Sequence, residues 1–381
     1  GISFYTFQSI SYVVDVYRGK HEPQKNFFKY ALFVSFFPQL LQGPIGRYER
    51  LGEQLYEGHA YDLKNIQFGL QRILWGMLKK MVLADRVNAA VTLIFNNYWN
   101  YGGWINVFGV ILYSIQLYAD FSGGIDITIG IAQMFGITMD ENFRQPYFSR
   151  SIGEFWRRWH ITLGTWMKDY IFYPFSLSRC MNKFGKWCKK TFGNNVGKLL
   201  PVSLANLLVF FIVGIWHGAA WKYIMYGMYN GVIIAASGML APVYARIHES
   251  LHINPKSWWY QVFCIIRTFI LVNIGFYFDM APDLHAANVM LLDTVTKAHL
   301  SQISMATVKA VGLTAQDLII VAAGCIIIFV VSVLKEKGIK IREMVASRNI
   351  VLRWFIYIVF IMFILIYGST STTSDFIYAN F

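Results

Sequence analysis

The stretch that decides the fold is residues 199–216, which read LLPVSLANLLVFFIVGIW. This run carries no charged side chain and approaches the roughly 20 residues that a helix needs to cross the hydrocarbon core of a bilayer. Similar apolar runs occupy residues 223–244, 258–278, 317–334 and 352–366. A transmembrane β-strand would instead alternate apolar and polar side chains over about ten residues. The sequence therefore predicts an all-α, multi-pass membrane protein.

Composition and charge support the same fold class. Of the 381 residues, 56% are hydrophobic and 14% are charged, whereas about a quarter of a soluble domain is charged. The net charge of +13 could suggest nucleic acid, but basic residues of membrane proteins gather in cytoplasmic loops. Residues 179–198 carry six basic and no acidic side chains, and residues 335–353 carry six basic against two acidic. With both loops inside, the last five spans alternate in direction, and the C-terminal Phe381 is predicted outside the cell.

The first half of the chain is less regular. Residues 66–85 are apolar but contain three basic side chains, which favours a helix that snorkels at the inner surface over a full span. Residues 104–121 form a plausible span that runs into a polar, glycine-rich end with Asp120 and Asp126. The two carboxylates are six residues apart and share no helical face, so we expect a helix-end or ion-pair role rather than paired acid/base catalysis.

Residues 150–175 mix tryptophan and tyrosine with charged side chains, a composition typical of a membrane interface. One helix is predicted here, lying on the inner leaflet or dipping into it, with Trp159 on one face and His160 on another. Arg157 and Arg158 favour a neutral His160 ring and could attract an anionic donor. Simple interfacial packing of His160 is an equally good interpretation.

His217 lies in the string VGIWHGAAW, where one span ends and the next begins after a very short connection. An ionisable group at such a position is a functional candidate, although neighbouring helices can also satisfy a buried imidazole. Gly214 and Gly218 would permit close backbone approach, and Trp216 and Trp221 could form rigid walls. A neutral imidazole has the proton affinity of a general base near pH 7, so a functional role is favoured.

Other motifs exclude several classes of site. His248 and His252 have the i, i+4 spacing of metal ligands, but no third ligand accompanies them, so we expect no metal site. The four cysteines show no CxxC spacing, which disfavours a disulfide framework. The sequence contains no P-loop, dinucleotide fingerprint or Gly-x-Ser-x-Gly elbow, so nucleotide hydrolysis and hydride transfer are unsupported.

Several separated strings resemble the membrane-bound O-acyltransferase family, specifically its bacterial branch in alginate O-acetylation. The strings occur in the family's order along almost the whole chain. They are ISFYTFQ at 2–8, FFPQL at 36–40, GPI at 43–45, DFSG at 120–123, ENFRQPY at 141–147, EFWRRWH at 154–160, GIWHGA at 214–219 and FIY at 376–378.

The resemblance implies a helical fold around a central tunnel, with His217 as the catalytic residue and His160 as a second family histidine. It implies no tightly bound cofactor; the cosubstrate would be an acyl thioester, either acetyl-CoA or an acyl carrier protein. The expected partners are membrane lipid, an exported polysaccharide and an extracytoplasmic hydrolase-like acetyltransferase, and not nucleic acid. Further side chains are candidates for the path of donor or substrate: Trp216, Trp159, Arg157, Arg158, Asp120, Asn142 and Asp169.

The resemblance is incomplete in two places. Family members have further helices before residue 2, so residues 1–381 are interpreted as one membrane-embedded domain that lacks its N-terminal spans, located in the bacterial cytoplasmic membrane. Residues 170–177, YIFYPFSL, differ from the Gly-Gly loop common in the alginate enzymes. The acceptor therefore stays open between an alginate-like polymer, cellulose and peptidoglycan. D-alanyl transfer to teichoic acid is an enzymatic alternative, and a transporter or flippase without covalent chemistry is an alternative of another class.

Overall fold

The computed structural model describes residues 2–40, 42–369 and 376, and within them the regular secondary structure is helical, with no strand. This confirms the predicted all-α class. The α-helices of this part of the chain are, in order, α1 (Ile2–Tyr17), α2 (Phe27–Val34), α3 (Glu53–Tyr56), α4 (Leu63–Met77), α5 (Asp85–Asn96), α6 (Trp104–Met134), α7 (Ile152–Arg158), α8 (Ile161–Met167), α9 (Tyr173–Ser176), α10 (Arg179–His217), α11 (Trp221–Met239), α12 (Ala241–Ser250), α13 (Trp258–Met280), α14 (Leu284–Thr296), α15 (Met305–Ala310), α16 (Ala315–Glu336), α17 (Ile341–Ala346) and α18 (Ile350–Tyr367).

Within the described residues, five helices are long and apolar enough to cross a membrane: α6, the part of α10 from Val196 to His217, α13, α16 and α18. Four of the five predicted apolar runs thus coincide with candidate spans. The remaining run, residues 223–244, is not one straight helix, because α11 and α12 meet at a bend of 56°. Pro242 lies in the first turn of α12, and its missing N–H and its ring prevent a helix from continuing unbroken through this point. The prediction for Phe381 lies outside the described residues.

Helix α6 corrects the prediction that residues 104–121 end in a polar segment. The helix continues to Met134, and Asp120 and Asp126 lie inside it, 1% and 9% exposed. Lys80 lies 2.6 Å from Asp120, and Lys79 pairs with Asp126. Because opposite charges compensate the cost of burial, the carboxylates need not end the helix.

The same pairs correct the prediction for residues 66–85. Lys79 and Lys80 are 2% and 8% exposed, so they do not snorkel to a surface. They lie in a π-helical stretch, Leu78–Ala84, that joins α4 directly to α5. Hydrophobic periodicity and composition could not reveal that the two lysines are buried, because their burial depends on carboxylates that are about 40 residues away in the sequence.

Close backbone packing brings the two charged helices together. A Cβ at Gly76 would lie 2.5 Å from the carbonyl oxygen of Gly123, and a Cβ at Gly69 would lie 2.5 Å from that of Gly130. The contacts run in opposite directions along the chain with a spacing of seven residues, so α4 and α6 are antiparallel. Small residues at such contacts allow helices to approach closely where lipid provides no hydrophobic drive.

The chain forms two compact units. The first unit comprises residues up to Asn142 and those from Asp293 onward, and the second unit comprises Phe143–Leu292. In the first unit, α16 and α18 pack on the π-helical stretch through an apolar cluster that includes Leu78, Val82, Ile320 and Ile364. In the second unit, α10 and α11 form a helical hairpin, α13 packs on α11, and the short helices α7 to α9 complete the structure.

Candidate functional site

The single helix predicted over residues 150–175 is interrupted at His160. Ser151 caps α7 by accepting a hydrogen bond from the Glu154 N–H, and the helix ends at Arg158. Helix α8 begins after His160, whose φ of 46° lies in the left-handed region. Four residues are predicted to share one helical face by their spacing, and all four are buried: Phe155, Trp159, Thr162 and Trp166.

His160 occupies the break between α7 and α8 and is 2% exposed. A non-glycine residue in the left-handed conformation costs about 1–2 kcal/mol, so surrounding packing must hold it. Burial lowers the pKa of His160 to about 3, and a charge on His217 lowers it further. The ring is therefore neutral at physiological pH. Burial causes this, and not the neighbouring arginines considered from the sequence.

His217 is the last residue of α10, and α11 begins at Trp221. The turn is tight: a Cβ at Gly214 would lie 2.6 Å from the Tyr223 carbonyl oxygen, and a Cβ at Gly218 would lie 2.7 Å from the Tyr223 ring. Gly218 also has a φ of 152°, which side-chain-bearing residues rarely adopt. Both glycines thus permit the predicted close approach. Trp221 is 72% exposed and does not wall the site, contrary to expectation.

Aromatic rings surround the His217 imidazole, which is 5% exposed. Its ring centroid lies 5.0 Å from Trp216, 5.4 Å from Tyr226 and 6.1 Å from Tyr223. Trp216 also contacts His160 edge-on at 5.7 Å. The second unit therefore brings together three residues predicted for the site, with Trp216 touching both histidines.

Contacts of Trp156 hold helix α7 against α10 and α11. The Trp156 indole N–H donates a hydrogen bond to Asn230 Oδ1 on α11 at 3.0 Å, and the Trp156 ring packs on Phe210 of α10. These contacts tie the segment that carries His160 to the hairpin that carries His217. Residues distant in the sequence thus form one buried polar site.

Asp279 was not predicted from the sequence. It lies near the end of α13, 8% exposed, with Oδ1 at 3.5 Å from His217 Nδ1. The Lys222 ammonium donates hydrogen bonds to the carbonyl oxygens of Asp279 at 3.2 Å and Ala281 at 2.7 Å. One sequence signal could have found Asp279: it follows the predicted span 258–278 directly, and the loop charges predict this end on the same side as His217.

The other predicted site residues of the second unit have less central positions. Trp159 lies in an aromatic stack, 5.3 Å from Phe155. Arg158 pairs with Glu154 at 3.0 Å. Arg157 is exposed, and Asp169 is half-buried in the helical turn Lys168–Phe172.

Asp120 and Asn142 belong to the first unit. Asp120 is engaged with Lys80 as described above, and Asn142 is fully buried. Among the described residues, no three His, Cys, Asp or Glu side chains group as metal ligands. The ring of His248 instead contacts the Tyr260 hydroxyl at 2.6 Å.

Comparison with known proteins identifies the family of this chain. Residues 20–278 match the model of the membrane-bound O-acyltransferase family. The chain is 36% identical to the probable alginate O-acetylase of Pseudomonas aeruginosa over 290 residues, which are 75% of this chain and 49% of that protein. It is 32% identical to the peptidoglycan O-acetyltransferase of Helicobacter pylori, over 79% of this chain and 58% of that protein.

A relative of lower identity is named for the transfer of a different group. The teichoic acid D-alanyltransferase of Bacillus subtilis is 29% identical, over 75% of this chain and 69% of that protein. The chain spans about half the length of the alginate O-acetylases that it matches. The family match covers well over half of the chain and includes both histidines. The chain therefore belongs to the membrane-bound O-acyltransferase family.

Proposed function

We propose that this chain transfers an acyl group, most simply acetyl, from a cytoplasmic thioester to a hydroxyl group on the outer side of a bacterial cytoplasmic membrane. His217 would be the general base. The observation that carries the proposal is the buried pair of His217 and His160, which share contact with Trp216 inside an aromatic wall. A neutral imidazole held in such a site is a suitable proton acceptor.

The reaction balances without any redox partner. The acceptor oxygen attacks the thioester carbonyl while His217 takes the hydroxyl proton. A carbon–oxygen bond forms, the carbon–sulfur bond breaks, and the imidazolium returns its proton to the departing sulfur. The products are an ester and a free thiol. His160, neutral at physiological pH, would then hold or orient the acyl group rather than carry a positive charge.

The membrane sidedness of the proposal rests on the loop charges. Residues 179–198 are basic, which favours the inner side for this loop, so His217, at the other end of its span, is predicted at the outer end. A donor thioester, from acetyl-CoA or an acyl carrier protein, would come from inside, and the acceptor from outside. That acceptor is an exported polysaccharide or an extracytoplasmic hydrolase-like acetyltransferase. The names of the alginate and peptidoglycan relatives support acetyl as the group and a polymer as the acceptor.

D-alanyl transfer from a carrier-protein thioester to teichoic acid is the second candidate. The chain covers 69% of the Bacillus subtilis teichoic acid D-alanyltransferase, a larger share than it covers of the alginate relative. The higher identity to the O-acetylases places acetyl transfer first.

The proposal is tested with purified protein in liposomes that enclose labelled acetyl-CoA, with alginate or peptidoglycan oligosaccharide outside. We expect alkali-labile label on the oligosaccharide, lost in His217→Gln. Label transfer only from a D-alanyl carrier-protein thioester to teichoic acid would favour the second candidate. Movement of unmodified oligosaccharide across the membrane, with no acyl transfer from either donor, would favour a transporter and overturn the proposal.

A further inference from the structure

The mechanism above gives no role to a buried carboxylate at the site, that of Asp279. Asp279 is 8% exposed near the end of α13, and a buried carboxylate is costly unless something compensates its charge. Its Oδ1 lies 3.5 Å from His217 Nδ1. This is an ion-pair distance and slightly longer than a strong hydrogen bond, and such contacts often tighten only when substrate binds.

The contact has a direct consequence for the chemistry of the ring. A neutral imidazole carries its proton on one nitrogen and offers a lone pair on the other. A carboxylate accepts hydrogen bonds and cannot donate them, so it favours the tautomer with the proton on Nδ1. The lone pair then lies on Nε2, which is the nitrogen left to take a proton from a substrate.

The position of Asp279 relative to α10 and α11 is itself fixed by a contact. Lys222, on α11, reaches two carbonyl oxygens at the end of α13, those of Asp279 and Ala281. A cation at a helix C-terminus also interacts favourably with the helix dipole. Lys222 therefore fixes the end of α13 through its backbone. Other polar or titratable groups near His217 include His160, Tyr223 and Tyr226.

We propose that Asp279 is a positioning residue for His217. It holds the imidazole with its proton on Nδ1, so that Nε2 can take the acceptor proton, and it stabilises the imidazolium that forms during transfer. The proposal rests on the proposed function, because it assigns Asp279 a role through the general base of that reaction. A third group that orients the base is a recurrent solution to this problem in unrelated enzymes.

The first test is kinetic and uses the liposome assay described above. Asp279→Asn keeps the shape and an acceptor oxygen but removes the charge, and we expect kcat to fall roughly 10- to 100-fold with the KM for the thioester nearly unchanged. Asp279→Leu should lose more. Asp283→Asn is the matched control: Asp283 is exposed and caps α14 through the Ala286 N–H, and we expect wild-type kinetics.

A double variant separates the failure of this proposal from that of the proposed function. If Asp279 acts through His217, then His217→Gln/Asp279→Asn should be no slower than His217→Gln alone. An inactive His217→Gln together with a fully active Asp279→Asn would overturn the positioning role only. Normal activity of His217→Gln would overturn the general base itself.

A second measurement does not need catalysis. Nitrogen chemical shifts of ¹⁵N-histidine-labelled protein in liposomes distinguish the two imidazole tautomers, and subtraction of the His217→Gln spectrum isolates His217. We expect the Nδ1–H tautomer in the wild-type protein and its loss or mixing in Asp279→Leu. An unchanged tautomer in Asp279→Leu would show that Asp279 does not set it and would overturn the proposal, even if the variant folds less well.

Discussion

In the first unit, buried ammonium and guanidinium groups lie directly against buried carboxylates, as Lys79 does against Asp126 and Lys80 against Asp120. In the second unit, the central buried groups are two imidazoles among aromatic rings, with one carboxylate at 3.5 Å from His217. Both regions bury titratable side chains at the same low exposure. They differ in the partners of those side chains, which are oppositely charged groups in the first unit and mainly aromatic rings in the second.

This difference separates a structural role from a chemical one. Paired buried charges join helices, because removal of one charge leaves the other uncompensated. A neutral imidazole offers a ring nitrogen that can accept a proton from a substrate. A buried ionisable residue in a membrane protein is thus a functional candidate only after its partners are known. Asp120, a candidate from its sequence, is better explained by its ion pair with Lys80.

The largest effect is expected at the general base. His217→Gln should reduce acyl transfer by about 10²–10⁴-fold, because proton transfer to a positioned base contributes that much. His248 contacts the Tyr260 hydroxyl outside the site, so His248→Gln is the control. We expect near-normal acyl transfer from this variant. Equal activity of the two variants in the liposome assay would break the comparison between the units.

The next effect concerns the stability of the first unit. Lys79→Met leaves Asp126 and Arg72 in a buried cluster that has lost one positive charge, and removal of one partner of a buried pair costs about 3–5 kcal/mol. We expect a lower melting temperature in detergent and less protein in the membrane.

Arg50→Gln is the matched control for Lys79→Met. Arg50 pairs with Asp140 at 2.9 Å, but its side chain is 61% exposed, and exposed pairs contribute at most about 1 kcal/mol. Indistinguishable melting temperatures for the two variants would show that the buried pairs do not stabilise the unit.

A smaller effect on activity is expected at His160. Asparagine tolerates the left-handed conformation that His160 adopts, so His160→Asn should fold while it loses roughly 10²-fold in transfer. His252 also has a positive φ, 51°, but is exposed, so His252→Asn controls for the backbone. Full activity of His160→Asn would show that His160 has a packing role and no role in acyl transfer.

The same variant has a pH dependence with a defined sign. The pKa of His160 is lowered to about 3 from its ordinary 6.5, mainly by burial, so the unfolded chain binds a proton that the folded chain does not. Stability from this residue is present above pH 6.5 and falls as the pH drops toward 3. The melting temperature of wild type relative to His160→Asn should therefore fall between pH 8 and pH 5. A difference in melting temperature between wild type and His160→Asn that does not change with pH would contradict the burial of His160.

The smallest effect is expected where the first unit packs backbone on backbone. Gly76→Ala would place a Cβ 2.5 Å from the Gly123 carbonyl oxygen, and overpacking of this kind costs about 1–3 kcal/mol. Gly58→Ala is the control, because a Cβ there meets nothing within 4 Å. A melting temperature of Gly76→Ala as high as that of Gly58→Ala would show that α4 and α6 can separate without loss.

Most errors of the sequence-based prediction concern contacts between residues that are far apart in the sequence. The ion-pair role expected for Asp120 is observed, but the sequence did not show that Lys80 is its partner, so the basic residues of 66–85 were predicted at the inner surface. The straight helix through His160 had the right period on both sides of the break, and hydrophobic periodicity cannot detect a single residue with positive φ. Asp279 was missed because nothing local connects it with His217, which lies 62 residues earlier.

The sequence by itself determined the features that depend on local composition: an all-helical fold, four of the spans, the tight turn at His217, and the family that the separated strings identify. These follow from the length and hydrophobicity of each run. Only the tertiary structure decided which buried charges are neutralised and which histidine has a carboxylate at Nδ1. Those properties depend on distances between helices that are far apart in the chain, because electrostatic compensation requires contact and not proximity in sequence.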